Sequence, residues 1–239
     1  MTDSAESAGA ESAGAESAGA ELLWGLGQPE TRPALTVARI AAAGIAVADE
    51  SGMAAVSMQQ VAGRLDVTKM ALYRHVTNKA ELVAVMIEIA VGAPPDLSAV
   101  PGGWRPKLAE WARLMRETWQ LHPWLPAATV GERAMGPREI DWTESAVAAL
   151  ADTGLTGSQR LDAVFLVSGH IRNTQSASTA GTQPWNREKR LHSQIVRHGD
   201  RFPALVAATE DAADAAEDGS WHFGLARIFD GLELLIAGR

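Results

Sequence analysis

From Thr36 onward the apolar residues fall into a helical rhythm: Val37, Ile40, Ala41, Gly44, Ile45 and Ala48 recur at intervals of three and four, with Thr36 placed to cap the first turn. Asp49, Glu50, Ser51 and Gly52 close that helix. Ser57 caps a second, short segment, MQQVAGRL, that runs to Asp66, and Thr68 caps a third, KMALYRH. A fourth helix follows from about Asn78, with Leu82, Val85, Met86, Ile89 and Ala90 in one stripe, and it stops before Pro94 and Pro95. The stretch APPDLSAVPGG, residues 93–103, then combines three prolines and two glycines and reads as a boundary between domains.

Beyond the boundary the rhythm stays helical. Leu108, Trp111, Ala112, Met115 and Trp119 share one face of a helix that starts near Trp104 and ends before Pro123. Further helices fit residues 137–151, 158 to about 178, and 220–237, with short helices in an irregular connection over 181–219. No sustained alternation of apolar and polar residues marks a strand. The expected fold class is therefore all-α, with a small N-terminal domain over 34–93 and a larger C-terminal domain over 104–239. Residues 1–33 form a tail: the AESAG repeats over 5–21, with no bulky apolar side chain, cannot build a core and read as disorder, and the short apolar run Leu22 to Leu26 leads into the folded part.

Composition narrows the classes of function. No cysteine is present, which excludes disulfides and thiolate metal sites and fits a reducing compartment. No stretch approaches the roughly 20 apolar residues of a membrane span, and the N-terminus lacks the layout of a signal peptide, so a cytoplasmic protein without a membrane partner is expected. The six histidines lack the spacing of a zinc helix, and no phosphate loop, nucleophile elbow or dinucleotide fingerprint occurs. Neither an enzyme, a metal nor a cofactor is called for.

The net charge of −8 is unevenly spread. Residues 1–35 and 81–239 each carry −5, whereas residues 36–80 carry +2. A small basic module on an acidic body is compatible with binding phosphates, because contact depends on local Lys and Arg. The positive segment holds the two short helices. Val61, Ala62, Leu65, Val67 and Leu72 have the spacing to pack them across a tight turn, small Ala62 permitting close approach. That leaves Thr68, Lys69, Ala71, Tyr73, Arg74 and His75 outward, a set suited to a major groove. The helix starts at Ser57 and Thr68 present free N–H groups to phosphates, and Tyr73 and Lys79 fit backbone contacts.

The stretch SMQQVAGRLDVTKMALYRHVTNKAEL, residues 57–82, resembles the TetR family of one-component regulators. The resemblance covers residues 36–82 and rests on Val61, Ala62 and Leu65 of the scaffold helix, on Leu72-Tyr73-Arg74-His75, and on Asn78-Lys79. It implies a helix-turn-helix DNA-binding domain contacting double-stranded operator DNA through Met58, Gln59, Lys69, Met70, Ala71, Tyr73, Arg74, His75 and Lys79. One position departs from the family: the turn residue that is usually glycine is Asp66 here, a residue that tolerates the left-handed conformation better than most.

Residues 104–180 are similar to the tetracycline-repressor type of C-terminal domain, through the LHPWL element, the pairs Ala149-Leu150 and Gly154-Leu155, and the apolar helix near Arg160. This likeness implies effector binding and a homodimer joined through a four-helix bundle of the 160–178 helix and the last helix. The residues agree: LDAVFLVSGHI is apolar on nearly every face, and Leu225, Ile228, Phe229, Leu232, Leu235 and Ile236 make a second stripe. Seven of the eight Trp lie beyond residue 100. Trp111, Met115, Trp119, Trp142 and Phe165 suit a pocket for an apolar or aromatic small molecule, with His122, His170 or Asn173 as polar anchors. The expected function is a TetR-type regulator, a repressor released from a pseudo-palindromic operator by an effector. An activator of the same architecture, or a helical ligand-binding or interaction protein without DNA binding, are the alternatives.

Overall fold

Thr36 opens the first helix as its spacing required: its hydroxyl accepts the Arg39 N–H at 3.1 Å, and α1 runs Val37–Ser51. The computed structural model describes residues 35–180, 190–211 and 219–238, so the tail expected over 1–33 lies outside the described residues. Two short helices follow, α2 (Met58–Arg64) and α3 (Lys69–Leu72), then α4 (Lys79–Ala90). The C-terminal part holds α5 (Trp104–Leu121), α6 (Leu125–Ala128), α7 (Pro137–Ala149), the long α8 (Gly157–Ala180), α9 (Arg190–Arg197), α10 (Pro203–Asp211) and α11 (Gly219–Ile236). No strand occurs among the described residues.

The two parts share one core. α1 packs along α4, while the other sides of α4 meet α6 and α7. This sandwiching is why α4 buries Ala84, Ile87 and Glu88 in addition to the expected Leu82, Val85 and Met86, so that its apolar stripe becomes a nearly continuous apolar surface. Around α4, the helices α5, α7, α8 and α11 form the larger body, with α8 touching each of the others. Short α6 follows the LHPWL element, has Pro126 in its first turn, and has no periodic signal of its own in the sequence. A four-residue helix spans barely one turn and cannot show a period.

A polar clasp joins the parts at the end of α1. Asp49 accepts from Trp124 Nε1 at 2.7 Å, and its carboxylate lies 2.9 Å from His122 Nδ1. Trp124 is buried, so removing the acceptor strands an indole N–H. Asp49→Ala is expected to cost about 1–3 kcal/mol of unfolding free energy, measured by chemical denaturation; an unchanged midpoint would mean that water replaces the carboxylate without loss.

Candidate functional site

The short helices α2 and α3 are built by their caps. Ser57 Oγ accepts the Gln60 N–H at 3.2 Å, and Thr68 Oγ1 accepts the Ala71 N–H at 3.3 Å. Between the helices Asp66 takes φ +54°, the left-handed value where the family usually has glycine, and Val67 N–H returns to Ala62 O at 3.0 Å. Val61, Ala62, Leu72 and Val76 are buried, and the pair packs through α2 on α1. After Leu72 the chain continues as tight turns, with His75 N–H donating to Leu72 O at 2.8 Å, so the regular helix is shorter than the expected KMALYRH. Asn78 Oδ1 then accepts the Glu81 N–H at 2.8 Å and starts α4 with Lys79 at the surface.

This construction turns Lys69, Met70, Tyr73 and Arg74 to solvent and leaves Ala71 and His75 half-buried. Met70 is 69% exposed, an apolar side chain that packing does not explain. Gln59, Thr68 and Lys79 are also exposed, and Ser57 is half-buried. Both cap hydroxyls keep a hydrogen to donate to a phosphate. Met58 is a correction: at 7% exposure its side chain belongs to the core beneath α2, because the helix turns its second face inward, and Gln60 stands outward in its place. Arg64, in the same segment, is held away by a doubly bonded pair with Glu50, 2.7 and 2.6 Å, which raises the arginine's pKa and lowers the carboxyl's.

The body forms a cavity of about 150 Å³ between α5, α7 and α8. Trp111, Met115, Trp119 and Trp142, all singled out in the sequence, line it. Trp111 Nε1 donates to Trp142 O at 2.8 Å, and the two indoles stand 6.2 Å apart. The rest of the wall escaped sequence reading: Arg133 and Glu139 form a doubly bonded pair, Nη1 to Oε2 2.7 Å, and Arg172 reaches in from α8. Arg172 carried a signal in hindsight, a cation ending the apolar run LDAVFLVSGHI. Arg133 and Glu139 carried none, being brought together across the break at Gly136-Pro137. A second, wider cavity of about 450 Å³ shares Val91, Thr118 and Trp142 with the first and opens beneath the end of α4.

Four expected pocket residues lie elsewhere. His122 is turned to Asp49 at the seam between the parts. Phe165 is 77% exposed, nearly two turns before Arg172 and so roughly 10 Å away along α8. His170 stacks on Trp221, ring centroids 5.7 Å apart, with Nε2 3.0 Å from Trp221 O, and it occupies the space above Gly224, where a Cβ would lie 2.2 Å from its ring. It therefore packs α8 on α11. Asn173, one residue past Arg172 and about 100° further round the helix, is exposed.

Two hydrogen bonds tie this cavity to α4. Trp142 Nε1 donates to Val91 O at 3.1 Å, at the end of α4. The buried carboxylate of Glu88 accepts the Arg138 N–H at 3.0 and 3.2 Å, at the start of α7, the helix that carries Glu139, Trp142 and Thr143 into the cavity wall. Gly136 makes this possible, since a Cβ there would lie 2.2 Å from Glu88 Oε2.

An outward cationic helix on a helix-turn-helix scaffold, above a helical body with an aromatic cavity, defines a one-component DNA-binding regulator. The chain belongs to the TetR family of transcriptional regulators. The family model for "Bacterial regulatory proteins, tetR family" matches residues 40–86, and that for "Tetracyclin repressor-like, C-terminal domain" matches residues 96–236. The HTH-type transcriptional repressor DrrR1 of Streptomyces coeruleorubidus is 30% identical over 236 residues, 92% of this chain and 86% of its own. An HTH-type transcriptional regulator of Saccharopolyspora erythraea is 27% identical over 218 residues, 88% of this chain and 87% of its own. The fold is that of the Streptomyces coelicolor TetR family protein ActR, with a TM-score of 0.72 at 23% identity over 87% of this chain and 100% of that one. Among the described residues no helix is long and apolar enough to cross a membrane, and no cluster of three metal-ligating side chains occurs.

Proposed function

We propose that this protein is a cytoplasmic homodimeric repressor that occupies a pseudo-palindromic operator and is released from it by a small molecule seated in the aromatic cavity. The observation that carries the reading is the double tie between the cavity wall and α4, because α4 also packs on the helix that supports α2 and α3. An effector that moves α7 pulls on Glu88 and Val91, and through α4 resets the spacing of the two DNA-reading heads. Linkage then requires operator DNA to weaken effector binding by the same factor. ActR, which shares the fold, is seen in complex with (S)-DNPA and in complex with actinorhodin, a parallel for a small molecule in this kind of body.

Dimerisation through α8 and α11 is supported by what they leave uncovered. Leu161, Phe165 and Leu166 of α8 and Phe223, Leu234 and Leu235 of α11 are exposed large apolar side chains on two helices that pack together. Phe165 finds its explanation on this face.

On the DNA side, Lys69, Arg74 and His75 supply donors to base edges, Gln59, Tyr73 and Lys79 serve the backbone, and Met70 and Ala71 offer apolar contact to a thymine methyl. A gel-shift titration on the DNA upstream of the chain's own gene tests the reading. Arg74→Ala is expected to lose about 1–3 kcal/mol of affinity if the guanidinium reads a base, and binding should weaken steeply with added salt. Binding indifferent to both would remove α3 as the reading head.

A further inference from the structure

The aromatic cavity holds one more positive charge than its wall neutralises. Arg133 and Glu139 cancel each other. Among the described residues Arg172 has only neutral partners: its Nε donates to Pro126 O at 3.1 Å, one Nη donates to Thr129 Oγ1 at 3.2 Å, and its guanidinium lies 5.3 Å from the ring centroid of Trp119. No carboxylate among the described residues pairs with it. Burial, and then the like charge of Arg133, push its pKa below the ordinary arginine value, yet a guanidinium stays protonated in proteins. A half-buried cation facing a second cation, in an indole-lined chamber, is a costly arrangement that an anion would relieve.

We propose, resting on the effector reading above, that the effector is a planar aromatic acid bearing one ionised oxygen group, a carboxylate or an acidic ring hydroxyl, placed against Arg172. Its rings lie against the indoles of Trp111, Trp119 and Trp142, offset or edge-on as aromatic quadrupoles prefer. The guanidinium, already fixed by two hydrogen bonds and the Trp119 face, retains donors for the anion and loses little freedom on binding it. A cationic ligand is disfavoured, because Arg172 and Arg133 repel it and Glu139 is already taken. A multiply charged acid meets a single unmatched cation. A chamber of about 150 Å³ takes one or two rings. Larger fused systems extend past Val91, Thr118 and Trp142 into the adjoining cavity beneath α4, which is where an occupant acts on the DNA-binding part.

The test titrates the full-length protein with an anthraquinone carboxylate and with the matching anthraquinone carboxamide, by calorimetry or tryptophan quenching, and repeats both with Arg172→Gln and Arg172→Lys. The expected result is that the carboxylate binds the native protein about 10- to 100-fold more tightly than the amide. In R172Q the preference disappears while amide binding persists, and in R172K part of it returns. Amide binding in R172Q also reports that the variant is folded. An anthraquinone with an acidic hydroxyl in place of the carboxylate tells the two kinds of acid apart, and Arg172-dependent binding of either supports the proposal. Equal affinity for acid and amide, or a preference that survives R172Q, overturns it. If neutral or cationic aromatics bind and release operator DNA while acids do not, the charge assignment fails and the effector reading stands. If no aromatic of any charge binds or alters DNA binding, both fail.

Discussion

Replacing Trp111 with alanine is expected to lower the unfolding free energy by about 3–5 kcal/mol, the range for truncating a buried aromatic. Trp111 is 1% exposed, sits between α5 and α7, and is both a core residue and a cavity wall. The deletion cannot be healed by a small shift, because the void it leaves joins a cavity that already exists. Its neighbours, among them Trp142 at 6.2 Å, then lose contacts on that side. Trp111→Phe is the informative partner. It keeps most of the ring and removes the N–H bond to Trp142 O, but that carbonyl retains the Ser145 hydroxyl at 2.8 Å, so the loss should fall to about 1–2 kcal/mol. Denaturant titration of both variants reads the difference. A cost below about 1 kcal/mol for the alanine variant would show that the indole bears little of the packing.

Gly136→Ala is expected to cost about 2–4 kcal/mol, with operator binding that answers poorly to an effector. Its Cβ would lie 2.2 Å from Glu88 Oε2 and 2.6 Å from Cδ, so either α7 shifts away from α4 or the carboxylate leaves the Arg138 N–H. Glu88 is 1% exposed and has no open side to move toward, so a displaced carboxylate would be buried without a partner. Shortening Glu88 in the same molecule, as Glu88→Ala, should recover part of the loss, a non-additivity that a general helix defect would not produce.

The ionisation of Glu88 gives the same contact a pH signature. Burial raises its pKa above the ordinary carboxylate value, against the lowering effect of the Arg138 N–H and its positive charge. A carboxyl whose folded pKa is raised stabilises the fold at acid pH and loses that contribution as pH rises through the folded value. Glu50, Asp96, Glu110 and Asp230 run the other way: hydrogen bonds from Arg64, Ser98, Arg113 and Arg105 respectively hold them low. Comparing Glu88→Gln with the native chain cancels those groups. As pH rises above the ordinary carboxylate range the variant's stability should improve relative to the native protein, followed as the denaturation midpoint of each. A difference that stays flat would mean that Glu88 keeps its ordinary pKa.

The DNA-reading part was legible in detail because its signals are local. Thr36, Ser57 and Thr68 cap the helices they were expected to cap, each side chain reaching an N–H three residues on, and Asn78, near which the fourth helix was expected to begin, caps it in the same way. Asp66 adopts the positive φ that its replacement of glycine demanded. The exception, Met58, lies at a helix start where a shift of one residue decides between core and surface, and local spacing is least precise there.

Half of the expected pocket residues line the cavity and half do not, and the division has a cause. Trp111, Met115, Trp119 and Trp142 lie on helices whose inward face follows from amphipathic spacing. Phe165, His170 and Asn173 lie on α8, which is apolar nearly all round, and periodicity cannot say which side of such a helix meets the cavity, α11 or a second copy. His122 went to a carboxylate from α1, 73 positions earlier in the chain.

What the amino-acid order determined alone is the longer helices, the breaks between them, the caps at Thr36, Ser57 and Thr68, and the outward character of Lys69, Tyr73 and Arg74, since each depends on contacts within a few residues. Tertiary structure decided which charges meet: Arg133 with Glu139, Arg172 with none among the described residues, and Glu88 with the start of α7. Those outcomes depend on distances between helices remote in sequence, and burial, which sets the worth of a charge, exists only once the helices have packed.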